Sequence, residues 1–477
     1  MMSIFKKTWW LIILGLFLCF INIDKTYLLI EDTARDSVRM IQIWQDKELT
    51  LIGPPASLGQ RSIREFYLGS FSYYLGMVGL VITDFEVWGS TVGQVLVFIS
   101  SIPILYLILK NHLKVKNPIL GTLIYVVSPL ILTHMRFYWN PNAIIGISVW
   151  FWYLILKNER KFSLIISGVL LGLIFNFHYF AIVPLVFYLV YFLFERKYKN
   201  VGFILLGAIV GTFPIWIFEI RNNFFLSRTF WFNLSNNSIM SVNIFSLFES
   251  LYRFPLAIIG IKPMEIGFQT ISLGFLQIVF GVLFLFLIVF SLKKLQRREK
   301  FLIALILASS IIVGYISGNS FNGRYLFGLT PVFIWLLMKC FEKINWIWFI
   351  LIPFIIFTDY KLITFRPNPN KDYVGIDTLE KASLLIKSDI GTETYNLSEN
   401  LYGDAQARGL RYFVLKNVEK KPESDISYEH LDVLYVLTPS LEKTIKDHRY
   451  EFYASNLTKV VWEENLGEMK LIKFERE

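Results

Sequence analysis

The chain has 477 residues, of which 55% are hydrophobic and only 18% charged, whereas a soluble domain usually carries about 25% charged residues. Mean hydropathy is +0.51 and the apolar residues fall in long runs, which is the composition of a membrane protein and not of a large soluble core. The formal net charge of +10 is spread in short basic clusters between those runs, which argues against nucleic acid as a partner. The two cysteines, Cys19 and Cys340, argue against a disulfide framework or a Cys/His metal site.

In chain order, a basic pair, Lys6 and Lys7, precedes the first apolar run at 8–23. Further candidate spans follow at 90–110, 118–135, 142–156, 162–177, 179–194, 201–219, 271–292, 300–317, 325–340 and 345–362. Several are shorter than the roughly 20 residues that cross about 30 Å of hydrocarbon. The predicted fold class is mainly α: a polytopic membrane protein of about 11 transmembrane helices. No A-x-A-like site follows the first run, so it reads as a retained span and not as a signal peptide. With the N-terminus inside, the inner loops hold Lys110, Lys114 and Lys116, then Lys157, Arg160 and Lys161, then Arg196, Lys197 and Lys199. Lys293, Lys294, Arg297, Arg298 and Lys300 follow, with Lys339 and Lys343 last, while the short outer turns hold only Arg136 and Arg324. Retention of Lys and Arg on the cytoplasmic side explains this alternation. The expected localisation is a multi-pass cell-membrane protein with a cytoplasmic N-terminus and an extracytoplasmic C-terminal domain.

Three regions fall outside. In 24–89, residues 33–45 carry Ala34, Val38, Ile41 and Trp44 at helical spacing, which predicts a helix lying in the membrane interface. A turn-rich stretch, GPPASLGQ (53–60), follows, and FYLGSFSYYLGMVGLVI (66–82) reads as a second interfacial helix. The second region, 220–270, contains Pro255, Pro263 and amphipathic pieces. The third, the tail 363–477, changes composition abruptly. There YFVL (412–415), VLYVL (433–437), KVVW (459–462) and MKLIKF (469–474) read as strands, with helical stretches at 376–388 and 399–409. A membrane domain, 1–362, is thus followed by a small soluble α/β domain, 363–477. The tail has no Gly-rich phosphate loop and reads as a lid or acceptor-binding module.

Charged residues avoid the middles of the spans and sit at their outer ends: Arg136, Glu219, Arg221, Arg324 and Asp359. Ion-coupled transport needs ionisable groups at the midplane, so this placement points to work at the outer surface. The stretch IEDTARDSVRM (30–40) puts more charge just past the first span. Its plainest reading is structural: Asp32 as a helix N-cap, with Asp36 and Arg39 pairing on one helical face. Its location allows a functional one, because carboxylates at a membrane surface are partly dehydrated and available as bases. Sugar transfer from a lipid-phosphate donor fits: the acceptor hydroxyl needs a base, and the departing phosphate needs cations, which Arg supplies in a bidentate fork.

These pieces resemble the GT-C superfamily of membrane glycosyltransferases. The closest branch is the family 39-like one of dolichyl-phosphate-mannose–protein mannosyltransferase and lipid A aminoarabinose transferase. The resemblance rests on EDTARD (31–36), LTLIGPPASLG (49–59), SYY (72–74), RFYWNPN (136–142), FHY (177–179), FEIRNNF (219–224) and GRYLFGLTP (323–331), in that order, and covers 1–362. It implies an inverting glycosyltransferase that moves a sugar from a polyprenyl-phosphate donor to an acceptor hydroxyl on a glycan, lipid or protein at the outer face. The alternative is a flippase, exporter, polymerase or ligase of lipid-linked glycans. The family's first-loop catalytic acid falls on Asp32, with Glu31 beside it and Asp36 as the alternative. Arg136 and Arg324 fall where the family brings cations to the lipid phosphate, and His178 near the same cavity, against a plainer reading as a packing histidine. Glu219 and Arg221 line the cavity or form a local ion pair. Tyr73, Tyr74 and Tyr138 hold a sugar or belong to an aromatic belt. Mannosyltransferases often carry a second acid in the next outer loop. Here that turn reads RFYWNPNA, with Asn140 and Asn142, so a divalent metal is not supported and no cofactor is expected.

Overall fold

The computed structural model describes residues 2–29, 31–56, 66–157, 160–236, 252–260, 296–317, 323–342, 344–364, 374–400, 406–446 and 450–476, with isolated positions between 279 and 286. All but isolated positions of the expected span at 271–292, and residues 237–251 and 261–270 of the 220–270 loop, Pro263 included, lie outside the described residues. The chain forms two compact units. One comprises Met1–Ile21, Thr50–Leu75 and Thr91–Ile363; the other comprises Asn22–Leu49, Gly76–Ser90 and Thr364–Glu477.

The first unit is helical. One stretch among the described residues, Val87–His112, is long and apolar enough to cross a membrane. Two bent pairs add to it when each is read as one span. They are Pro118–Val127 with Pro129–Met135, bent by 48°, and Tyr198–Gly211 with Phe213–Arg221, bent by 65°. The bends follow from the sequence: Pro129 and Pro214 open the second halves, and a proline disfavours helix in the residue before it. Ile144–Lys157, Lys161–Phe177 and Tyr179–Phe194 are shorter apolar helices.

Two helices of this unit pack backbone to backbone. A Cβ on Gly168, in Lys161–Phe177, would stand 2.0 Å from the carbonyl oxygen of Ile204; one on Gly207, in Tyr198–Gly211, would stand 2.0 Å from that of Ile165. Small residues at such a crossing let helices approach where no hydrophobic effect drives them together. The same unit carries a hairpin, β1 (Ile52–Ala56) antiparallel to β2 (Phe66–Gly69).

The second unit contains the α/β tail. A four-stranded sheet runs in the order β3 (Tyr395–Glu399), β4 (Val433–Thr438), β6 (Met469–Glu475), β5 (Lys459–Leu466). β3 is parallel to β4, and the other pairs are antiparallel. The helix Ile376–Asp389 is pinned to the sheet by its last residue: Asp389 accepts from Tyr435 Oη (2.5 Å), Trp462 Nε1 (3.0 Å) and Lys473 Nζ (2.9 Å).

Three of the four expected strands are present. YFVL is instead the middle of a helix, Arg408–Asn417, with consecutive buried residues from Gly409 to Leu415 because the helix is covered on two sides, by Ile376–Asp389 and by Glu31–Asp46. A short apolar run does not tell a doubly covered helix from a buried strand. The predicted helix at 399–409 likewise gives way: YNLSE (395–399) is a strand, and the helix starts at Arg408.

Candidate active site

The acids of the first outer loop lie on the helix Glu31–Asp46 of the second unit. Ala34, Val38 and Ile41 are buried as the spacing predicts, while Trp44 stays 38% exposed. The apolar face packs on the tail helix Arg408–Asn417; the sequence assigned that face to the membrane interface, and its neighbour comes from a distant stretch of chain. Arg35 joins two acids. Its Nη1 donates to Asp32 Oδ1 at 2.7 Å, and its Nε and Nη2 reach Asp36 Oδ1 at 2.8 and 2.7 Å. The expected Asp36–Arg39 pair is therefore replaced by Asp36–Arg35. The two acids differ in access: the Asp32 side chain is 44% exposed and that of Asp36 is 0% exposed. Asp36 Oδ2 has no hydrogen-bond partner among the described residues. Burial pushes the Asp36 carboxyl up to about 7, opposed by Arg35, reinforced by Asp32 and opposed again by Arg408. The side chain of Glu31 lies outside those described.

A second group of candidates meets in the first unit. The outer turn 136–142 is tied down by its amides: Asn142 Nδ2 donates to the carbonyls of His134 (2.6 Å) and Phe137 (2.9 Å), and Gln94 Nε2 donates to the same two (3.0 and 2.8 Å). Asn140 Nδ2 donates to Phe177 O at 2.6 Å, fixing the turn to the end of the helix Lys161–Phe177. This holds Trp139 in place, and the Arg324 guanidinium stacks over it at 4.5 Å, with Tyr325 on another side at 5.7 Å. Arg324 sits in the turn Gly323–Leu329, which is itself anchored: Trp152 Nε1 donates to Gly328 O at 2.8 Å, and Ser148 Oγ to Phe327 O at 3.2 Å. The His178 ring lies 5.0 Å from that of Tyr325. Among the described residues, Arg324 has no carboxylate partner; its Nε and His178 Nδ1 are buried without hydrogen bonds. A cation held by aromatic faces and left uncompensated is arranged to receive an anion.

Three of the remaining candidates, Arg136, Glu219 and Tyr74, make hydrogen bonds to backbone groups. Arg136 is 5% exposed and spends its guanidinium on the carbonyls that end the first helix, Leu18 (2.7 Å), Cys19 (3.3 Å) and Ile21 (2.8 Å). Glu219 makes no ion pair with Arg221, contrary to one sequence reading. It accepts from Leu226 N (2.7 Å), Ser227 N (3.0 Å) and Ser227 Oγ (2.5 Å) and so caps the helix Phe225–Asn236, while Arg221 is exposed. Tyr74 Oη bonds the backbone of Thr50 at 2.6 and 2.9 Å, at the foot of β1. Tyr73 and Tyr138 are buried. Among the described residues, no three His, Cys, Asp or Glu side chains cluster as metal ligands. Sequence reasoning missed Trp139, whose only signal was an indole in a turn otherwise built of Asn-Pro-Asn, and Tyr325, next to Arg324.

Residues 71–218 match the family described as dolichyl-phosphate-mannose-protein mannosyltransferase. No curated protein matches the chain by sequence. Among solved structures, ArnT from Cupriavidus metallidurans bound to undecaprenyl phosphate is similar over 98% of this chain and 98% of its own, with a TM-score of 0.63 at 10% identity. The apo state of that protein gives 0.51 at 11% identity, with the same coverage. The Archaeoglobus fulgidus oligosaccharyltransferase in complex with Zn and sulfate gives 0.53 at 12% identity, over 90% of this chain and 67% of its own. At these identities the likeness is one of fold. The family match and the likeness of fold both agree with the order of the motifs in the sequence.

Proposed function

We propose that this chain is a polyprenyl-phosphate-sugar-dependent glycosyltransferase that works at the outer face of the cell membrane with inversion at the anomeric carbon. The observation that carries the reading is Arg324: a guanidinium stacked on Trp139 with no carboxylate partner among the described residues. The undecaprenyl phosphate bound by the similar ArnT structure supports a lipid phosphate as its ligand. The charge alternation of the loops supports a multi-pass topology with the N-terminus inside.

Asp32, the accessible acid of the Arg35 cluster, accepts the proton of the acceptor hydroxyl. The freed oxygen forms a bond to the anomeric carbon. The bond from that carbon to the phosphate oxygen breaks, and its electron pair leaves with the polyprenyl phosphate. Asp36, buried on the far side of Arg35, holds that guanidinium and through it orients Asp32.

Incubating the purified protein with a panel of radiolabelled polyprenyl-phosphate sugars and cell-envelope acceptors tests this. Transfer with release of polyprenyl phosphate is expected from wild type and lost in Asp32→Asn. Movement of intact lipid-linked glycan across vesicles, indifferent to Asp32→Asn, would overturn it in favour of an exporter.

A further inference from the structure

The Arg324 turn leads into the helix Thr330–Cys340, and at the other end of that helix lies a cavity of about 500 Å³. Small ligands are held in cavities of about 300–1,000 Å³. Its closed side is apolar: Leu120, Met338, Trp348 and Ile352 line it, and Met338 and Trp348 are buried. Its open side carries charge. Along residues 113–116, Leu113 and Val115 are buried while Lys114 and Lys116 are exposed, so this segment turns an apolar edge inward and a basic edge outward. Lys116 Nζ lies 3.7 Å from Glu342 Oε1, between side chains 74% and 25% exposed. That is longer than a hydrogen bond, and a pair so exposed holds Lys116 only weakly. Lys339, one turn before Glu342, is committed elsewhere, to Glu299 at 3.3 Å. Asn117, also at the open side, caps the next helix by accepting from Leu120 N at 3.3 Å. Trp346 and Phe349 stand exposed beside the opening.

We propose that this cavity binds an anionic phospholipid, with an acyl chain against Leu120, Met338, Trp348 and Ile352 and the phosphate on Lys116, with Lys114 nearby. The inference rests on the membrane reading of the chain and is independent of the sugar-transfer chemistry. The apolar wall selects hydrocarbon, because a polar solute placed against it would leave its hydrogen bonds unmade. The basic edge selects negative charge, since lysines at a membrane surface attract anionic headgroups. Trp346 beside the opening suits the level of those headgroups, where tryptophan is enriched. Lys116 reaches the phosphate by leaving a weak partner, so the exchange costs little. Glu342 sets the sign of the interaction: its carboxylate repels a phosphate, whereas it would attract the ammonium of phosphatidylethanolamine.

The test titrates the delipidated full-length protein in detergent with phosphatidylglycerol or phosphatidylcholine, read by native mass spectrometry. Wild type is expected to bind phosphatidylglycerol at least about fivefold more tightly than phosphatidylcholine. Lys116→Gln is expected to weaken phosphatidylglycerol about fivefold and to leave phosphatidylcholine unchanged; Glu342→Gln is expected to strengthen phosphatidylglycerol. Phosphatidylglycerol with a diazirine on its acyl chain is expected to label residues 338–352, and Leu120→Trp, which fills the cavity, to abolish that label. Equal affinity for the two lipids, wild-type affinity in Lys116→Gln, or labelling that survives Leu120→Trp overturns the proposal. So does weaker binding by Glu342→Gln, which would assign the site to phosphatidylethanolamine. If Leu120→Trp does not fold, Lys116→Gln decides, because its side chain is exposed and its loss leaves the packing intact. Wild-type protein that stays monodisperse without detergent overturns the membrane reading instead.

Discussion

The Arg324 guanidinium lies 4.5 Å above the Trp139 ring, and the two come from turns almost two hundred residues apart in the chain. The indole holds the fork of the guanidinium flat without consuming a hydrogen bond, so its N–H groups stay available for an anion. Arg324→Lys keeps the charge and loses both the stacking and the fork. It is expected to weaken undecaprenyl phosphate binding at least about tenfold, near 1.4 kcal/mol. Trp139→Leu is expected to cost less, about two- to fivefold, in line with about 0.5–1 kcal/mol for a cation–π contact. Titration of the lipid into protein in detergent, read by calorimetry, checks both; equal binding by wild type and Arg324→Lys would remove the phosphate from this site.

The two acids of the first outer loop should separate in kinetics. Asp32 is reachable and Asp36 is sealed, so only Asp32 accepts a proton from an incoming hydroxyl. Asp32→Asn is expected to lower kcat by about 10²–10⁴ with donor affinity within twofold of wild type. A variant that loses donor binding in proportion to turnover would make Asp32 a ligand and not a base.

Asp36 makes a prediction about stability. Its carboxyl is raised to about 7 by burial, against about 3.9 in an unfolded chain. The folded state therefore favours the protonated form. That contribution is complete below about pH 4 and is lost as pH rises through 7, on the order of 4 kcal/mol in all. Asp36→Asn removes the titration. It is expected to flatten the fall in thermal stability between pH 4 and 7 and to make the protein more stable than wild type at pH 8, while lowering turnover because Arg35 loses one anchor. Unfolding scans at pH 5 and pH 8 suffice, and an unchanged slope in the variant would mean that Asp36 is not the group that titrates.

What was legible in the sequence was local. Helical spacing placed Ala34, Val38 and Ile41 on a buried face, and strand-length runs found β4, β5 and β6. Failures came where long-range contacts decide. YFVL reads as a strand until two helices are known to cover it. YNLSE is too polar to read as a strand, yet every residue of it is buried: Asn396 Nδ2 donates to the carbonyls of Ser424 and Ser427, and its Oδ1 accepts from Arg411. The task of Glu219 was invisible because its partner begins the next helix, not the same turn. Motif order carried the reading of the acids and of Arg324, but not the neighbours that give each its chemistry.

Arg136 tests how far a motif carries a role. It stands in the outer turn that the motifs assign to the lipid phosphate, yet its guanidinium closes the end of the first helix on the carbonyls of Leu18, Cys19 and Ile21. Helix ends leave such carbonyls without intrahelical donors, and a buried acceptor stripped of its partner costs about 1–3 kcal/mol. Arg136→Met keeps much of the aliphatic stem and removes the donors, so it is expected to destabilise the protein by about 2–4 kcal/mol. Per folded molecule, affinity for undecaprenyl phosphate is expected to stay within twofold of wild type. Thermal unfolding in detergent together with lipid titration distinguishes the two tasks. A variant with wild-type stability and a tenfold loss of lipid affinity would return Arg136 to the phosphate, and the first helix would then have to hold its end by other means.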